Sequence, residues 1–129
     1  MAITPTDERT RRRLLAAYLY TTVAMVRSKS ADLTDRQKAV LLKVYTDDEA
    51  QTVRGLAEYC NVSKPAITRA LDRLTEFELV RRKTDPNDRR SVLVQRTAAG
   101  INYIRQIETI LTSAAVNQSP KPALEAERR

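Results

Sequence analysis

The chain has 129 residues, with 23 Lys and Arg against 16 Asp and Glu and a formal net charge of +7, so a single modest domain attracted to polyanions is the starting expectation. With no histidine, one cysteine and two glycines, it lacks an imidazole base, a nucleophile–histidine pair, a zinc or disulfide framework of its own and a glycine-rich phosphate loop. No catalytic, metal or cofactor constellation is left, and binding is the expected role.

"TPTDERTRRRLLAAYLYTTVAMVRSKS" opens with Thr4, Pro5 and Asp7, a capping hydroxyl, a proline in the first turn and an acid three residues on. Leu15, Leu19, Thr22 and Val26 then recur at helical spacing beside Leu14, Tyr18 and Met25, which predicts one long amphipathic helix. The opening residues carry no apolar signal-peptide core, and no apolar run approaches the roughly 20 residues of a bilayer span. A soluble, cytoplasmic protein with no membrane partner is expected.

In "LTDRQKAVLLKVY", Thr34 and Gln37 form a capping-box pair ahead of Val40, Leu41, Val44 and Tyr45. That second helix ends in the acidic loop "TDDEAQ". "TVRGLAEYCNVSKPAITRALDRLTEF" reads as two short helices joined tightly at residues 61–63, capped by Thr52 and Ser63, with Pro65 in the first turn where a missing N–H costs little. In the latter helix Ala66, Ile67, Ala70, Leu71, Leu74 and Phe77 line one face. Pro65, Thr68, Arg69, Asp72 and Glu76 point the opposite way.

"LVRRKT" and "SVLVQR" are strand-like runs separated by the turn-forming "DPND", which predicts a hairpin. Residues 81–96 carry Arg81, Arg82, Lys83, Arg89, Arg90 and Arg96 against Asp85 and Asp88, a net +4. Thr97 then caps a last helix with Ile101, Ile104, Ile107, Leu111 and Ala114 on one side. The tail from residue 118 has the composition of a disordered segment. The expected architecture is mainly α with a small β wing, in the order helix, helix, helix, turn, helix, hairpin, helix.

These residues resemble the MarR family of winged-helix transcription regulators. "LTDRQKAVLLKVY" is similar to the family's L-T-x-x-Q opening, the 52–88 segment to its helix-turn-helix, and "DRRSVLVQRTAAG" to its wing signature, D-x-R followed by a strand and T-x-x-G. The resemblance implies a winged helix-turn-helix over 34–97, an N-terminal dimerisation helix within 1–33 and a C-terminal one within 98–117. It implies a homodimer presenting its helix-turn-helix units to successive major grooves of double-stranded DNA, with an affinity open to control by a small-molecule effector. Two departures stand out. Glu78 occupies the place where the family usually has glycine, so a positive φ there would strain it by about 1 kcal/mol. Arg96 replaces the usual leucine before Thr97, and the chain stops about where the family often adds a sixth helix, so a smaller or differently arranged dimerisation region is expected.

Within that frame Ser63, Lys64, Pro65, Thr68 and Arg69 are expected at the major groove, where residues near a helix N-terminus reach phosphates and base edges. Lys64 opposes the helix dipole, which a phosphate partner would explain. Arg73 lies at the edge of this face and either reaches the DNA backbone or pairs with Glu76. Arg89 and Arg90 sit at the wing tip, where the negative potential of the minor groove draws arginine; Arg90 matches the family's D-x-R and is the expected inserted residue. Asp88 is expected to brace the wing and orient an arginine. The bland alternatives are a solvated helix face and a solvated hairpin tip, and for Arg9, Arg11, Arg12 and Arg13 a solvated run ranks first. Cys60 is expected to be a buried, inert thiol. The five tyrosines fit a ligand pocket, core or interface equally well. The rival to DNA binding is a winged interaction module whose basic face docks an acidic protein.

Overall fold

A computed structural model describes residues 7–117, within which five helices and a three-stranded antiparallel sheet follow in the order α1 (Glu8–Arg27), α2 (Asp35–Thr46), β1 (Gln51–Thr52), α3 (Val53–Cys60), α4 (Lys64–Glu76), β2 (Val80–Asp85), β3 (Asp88–Arg96) and α5 (Ala98–Asn117). The chain divides into two compact units. One is Ala31–Arg105; the other comprises the described parts of Met1–Ser30 and Gln106–Arg129.

The unit Ala31–Arg105 holds the winged fold. Its core is Val40, Leu41 and Val44 of α2, Leu56 and Ala57 of α3, Ala66, Ile67, Ala70, Leu71 and Leu74 of α4, and Leu79, Val80 and Val94 around the sheet. These are the apolar positions that recur at helical spacing, and the opposite stripe of each helix faces water. The capping box is present: the Thr34 hydroxyl accepts from the Gln37 amide at 3.2 Å and the Gln37 side chain accepts from the Thr34 amide at 3.0 Å. Thr52 and Ser63 cap α3 and α4 through the amides of Gly55 and Ala66. Between them Asn61 takes the left-handed conformation at φ 55°. Val62 N–H then donates to Ala57 and Asn61 N–H to Glu58, a Schellman pattern that turns the chain sharply enough for the two helices to pack.

The end of α4 repeats that pattern with Glu78 in the left-handed position, at φ 61°. Leu79 N–H donates to Leu74 and Glu78 N–H to Thr75, each at 2.9 Å, and the buried Leu74 and Leu79 supply the apolar contact that accompanies the motif. Beyond it β2 and β3 pair from Val80↔Arg96 outward to Asp85↔Asp88, leaving Pro86 and Asn87 as the turn. The Asp85 carboxylate accepts from the Asn87 amide at 2.9 Å, the local bond that makes Asp a turn former.

Two sequence expectations need correction. A third strand, β1, pairs Gln51↔Val94 and Thr52↔Leu93 with β3; at two residues it is too short to show alternation. The first helix is capped by Asp7, whose carboxylate accepts from the Thr10 amide at 2.7 Å, so Asp7 is the cap itself and not the acid of a box begun by Thr4. That amide holds the Asp7 carboxyl below its ordinary value. Thr4 and Pro5, and the tail from residue 118, lie outside the described residues.

In the other unit, α1 has no buried residue. Leu14, Leu15, Tyr18, Leu19 and Val26 are all more than half exposed, whereas Ala114 of α5 is buried.

Candidate nucleic-acid interface

Among the exposed cations of the Ala31–Arg105 unit, two groups stand at the places singled out in the sequence. The first is the start of α4. Ser63, Lys64, Pro65, Thr68, Arg69, Asp72 and Glu76 are all exposed while Ala66, Ile67, Ala70, Leu71 and Leu74 are buried. The outward stripe is thus the one expected from the spacing. The Ser63 oxygen is occupied as a cap acceptor, but its O–H remains a donor for an anionic oxygen. Lys64 and Arg69 have no ion-pair partner among the described residues.

The second is the wing tip, where Arg89 and Arg90 are exposed. The Arg90 side chain is 96% exposed. Asp88 braces this tip mainly through the backbone: its carboxylate accepts from the Arg90 amide at 3.1 Å. The Arg90 guanidinium lies 3.8 Å away, an ion-pair distance too long for the charge-assisted hydrogen bond expected of it.

Three other arginines are engaged within the fold. Arg73 pairs with Glu76 at 2.7 Å and lies over the Phe77 ring, 4.5 Å from its centroid. Arg82 bridges from β2 to Asp72 of α4 at 2.7 Å. Arg96 donates through Nε to the Val44 carbonyl at 3.0 Å and through its terminal nitrogen to the Asp47 carbonyl at 2.7 Å. It thereby caps the C-terminal end of α2, whose carbonyls carry the negative end of the helix dipole. A charge count over residues 81–96 overstates the cations free for a partner, because Arg82 and Arg96 are tied to the fold.

No group of three or more His, Cys, Asp or Glu among the described residues is placed to hold a metal ion, and no described helix is long and apolar enough to cross a membrane. An open cleft of about 580 Å³ is lined by Lys43, Thr46, Asp47, Asp48, Glu49 and Tyr59. Lys43 fills part of it, 2.7 Å from Asp47 and 4.1 Å from the Tyr59 centroid. That hydrogen bond raises the Lys43 ammonium and lowers the Asp47 carboxyl from their ordinary values. The tyrosines have separate roles: Tyr59 and Tyr18 are exposed, Tyr103 is buried and Tyr45 bonds to the backbone around Thr97. Burial, as the largest cause, raises the Tyr103 phenol. Cys60 is half-buried rather than buried.

The MarR family model matches residues 33–92. Among solved structures the fold is similar to a mutant MepR from S. aureus, with a TM-score of 0.67 and 18% identity over 98% of this chain and 92% of that one. A mutant MarR from E. coli complexed with operator DNA gives 0.59 and 25% identity over 90% and 82%. A MepR-like protein complexed with pseudoligands gives 0.56 and 28% identity over 80% and 65%. The matched residues span the helix-turn-helix and most of the wing, so this part of the chain is similar to the MarR family of winged-helix transcription regulators.

Proposed function

We propose that the protein is a homodimeric, sequence-specific DNA-binding transcriptional regulator that recognises a pseudo-palindromic duplex site. The carrying observation is that one compact unit presents Lys64 and Arg69, which have no ion-pair partner among the described residues, at the start of α4, and Arg89 with the 96% exposed Arg90 at the wing tip, while neighbouring arginines are consumed by the fold. In this reading Ser63 and Lys64 anchor phosphates, Thr68 and Arg69 read base edges in the major groove, and the wing carries Arg90 into the minor groove with Arg89 beside it. Pro65 sets the start of the helix, and Arg73 reaches the DNA backbone only by leaving Glu76.

Homodimerisation is supported by α1, an amphipathic helix of 20 residues none of which is buried in a single chain. Exposed apolar area of that extent marks an interface. Leu111 and Val116 of α5 are likewise exposed, and α1 and α5 are assigned as the dimerisation helices flanking the DNA-binding unit. Two recognition helices related by a two-fold axis would engage half-sites about one helical turn apart. The MepR-like neighbour complexed with pseudoligands supports control by a small-molecule effector; cytoplasmic residence accords with access to the chromosome.

The test is duplex affinity against salt. Each neutralised phosphate contributes about −0.9 to the slope of log affinity against log salt, so the expected result is a steep fall for random duplex and a shallower relative loss for a preferred site. Absence of any salt-dependent duplex binding overturns the proposal and brings forward the reading in which the basic face docks an acidic protein.

A further inference from the structure

The outward face of α4 carries a carboxylate where a polyanion is to be met. Asp72 lies one turn beyond Thr68, its side chain 54% exposed, and 2.7 Å away stands the Arg82 guanidinium. Strand alternation explains the reach: Val80 of β2 is buried against the core, so Arg82, two residues on, shares its face and turns toward α4, whereas Arg81 and Lys83 point to the other side. Arg82 is accordingly held more closely than the wing-tip cations, its side chain 29% exposed against 96% for Arg90.

We propose that Asp72 is a specificity-determining residue that acts by holding Arg82 against the recognition helix and off the DNA phosphates. Resting on the DNA-binding reading above, this assigns the pair a purpose in discrimination. A free arginine beside the recognition helix would add a phosphate contact of equal worth on every sequence, raising non-specific and specific binding together. Paired with Asp72, the guanidinium cancels a carboxylate that would otherwise repel the backbone, and the base-reading side chains Thr68 and Arg69 dominate the difference between sites. An exposed pair of this kind adds little to stability, so its arrangement matters chiefly for what the two charges do to a third party.

The experiment measures the affinity of the full chain for random duplex and for its selected site, each as a function of salt, in Asp72→Asn, Arg82→Gln and the double variant. Asp72→Asn is expected to bind random duplex about threefold or more tightly, to steepen its salt slope by about one and to lower the specific-to-random ratio. Arg82→Gln, which leaves Asp72 uncompensated, is expected to weaken binding to every duplex, and the double variant to return close to the parent slope. A purely structural bridge would instead give weaker binding and a lower melting temperature in both single variants with no change in slope, and that result overturns the proposal. An unchanged slope in Asp72→Asn with the parent protein binding normally also refutes it. A parent protein that does not bind duplex at all refutes the DNA-binding reading itself.

Discussion

The Tyr45 hydroxyl and Gly100 are packed so closely that a Cβ added at position 100 would lie 1.7 Å from that oxygen and 2.3 Å from the Leu79 carbonyl oxygen. The hydroxyl donates to that carbonyl at 2.8 Å and accepts from the Thr97 amide at 3.0 Å. Thr97 in turn donates its hydroxyl to the Glu78 carbonyl and accepts from the Gly100 amide at 2.9 Å. The T-x-x-G of the wing signature is therefore a junction at which the end of α4, the end of β3 and the start of α5 are bonded through one tyrosine from α2.

Gly100→Ala is expected to destabilise the protein by about 1–3 kcal/mol or more, because the clash is with backbone as well as side chain. Urea denaturation of the variant measures this. Adding Tyr45→Phe removes the hydroxyl but leaves the Leu79 oxygen in place, so the double variant should not recover; recovery would show that the tyrosine alone demands glycine.

Glu78→Gly is expected to stabilise the fold by about 1 kcal/mol, since a non-glycine residue at φ 61° pays for the left-handed conformation. The strain serves the Schellman bonds at the end of α4, which use backbone only and are kept by glycine. A midpoint in denaturant that does not rise would mean that the Glu78 side chain contributes something glycine loses.

Arg90→Ala and Arg96→Ala should behave oppositely. Arg90 is almost fully solvent-exposed, so its loss is expected to leave the melting temperature unchanged and to weaken DNA binding by about 1–3 kcal/mol. Arg96 closes the end of α2, so its loss is expected to cost about 1 kcal/mol of stability and leave the salt slope of binding unaltered. Calorimetry and duplex titration on both variants separate the two. Unchanged affinity in Arg90→Ala at fixed salt would remove the wing from the interface.

Replacing Leu15 and Leu19 of α1 together by Glu is expected to dissociate the dimer, because both are more than half exposed in the single chain and lie one turn apart. Sedimentation at micromolar concentration should give twice the chain mass for the parent and a smaller value for the variant. A monomer mass for the parent would sink the dimer proposal.

Helix α4 was legible because cap, proline and apolar spacing all agree over residues 63–77, and the hairpin because "DPND" interrupts two runs that cannot continue as helix. The strain at Glu78 was legible only against the family pattern, which places glycine there. Strand β1 was not, since two residues become a strand only by pairing with Leu93 and Val94 some forty positions away. The fates of Arg82 and Arg96 were hidden for the same reason. Composition shows how many cations a segment has, but only the fold brings Asp72 to one and the Val44 and Asp47 carbonyls to the other.

The central claim is sequence-specific recognition of duplex DNA by a two-fold pair of recognition helices, and the most direct measurement is selection of bound sequences from a random duplex library at near-physiological salt. Enrichment of an inverted repeat with half-sites about ten base pairs apart is the predicted result. Enrichment of no sequence, with binding that vanishes as salt rises, would contradict it and leave a basic winged domain whose specific partner is a protein.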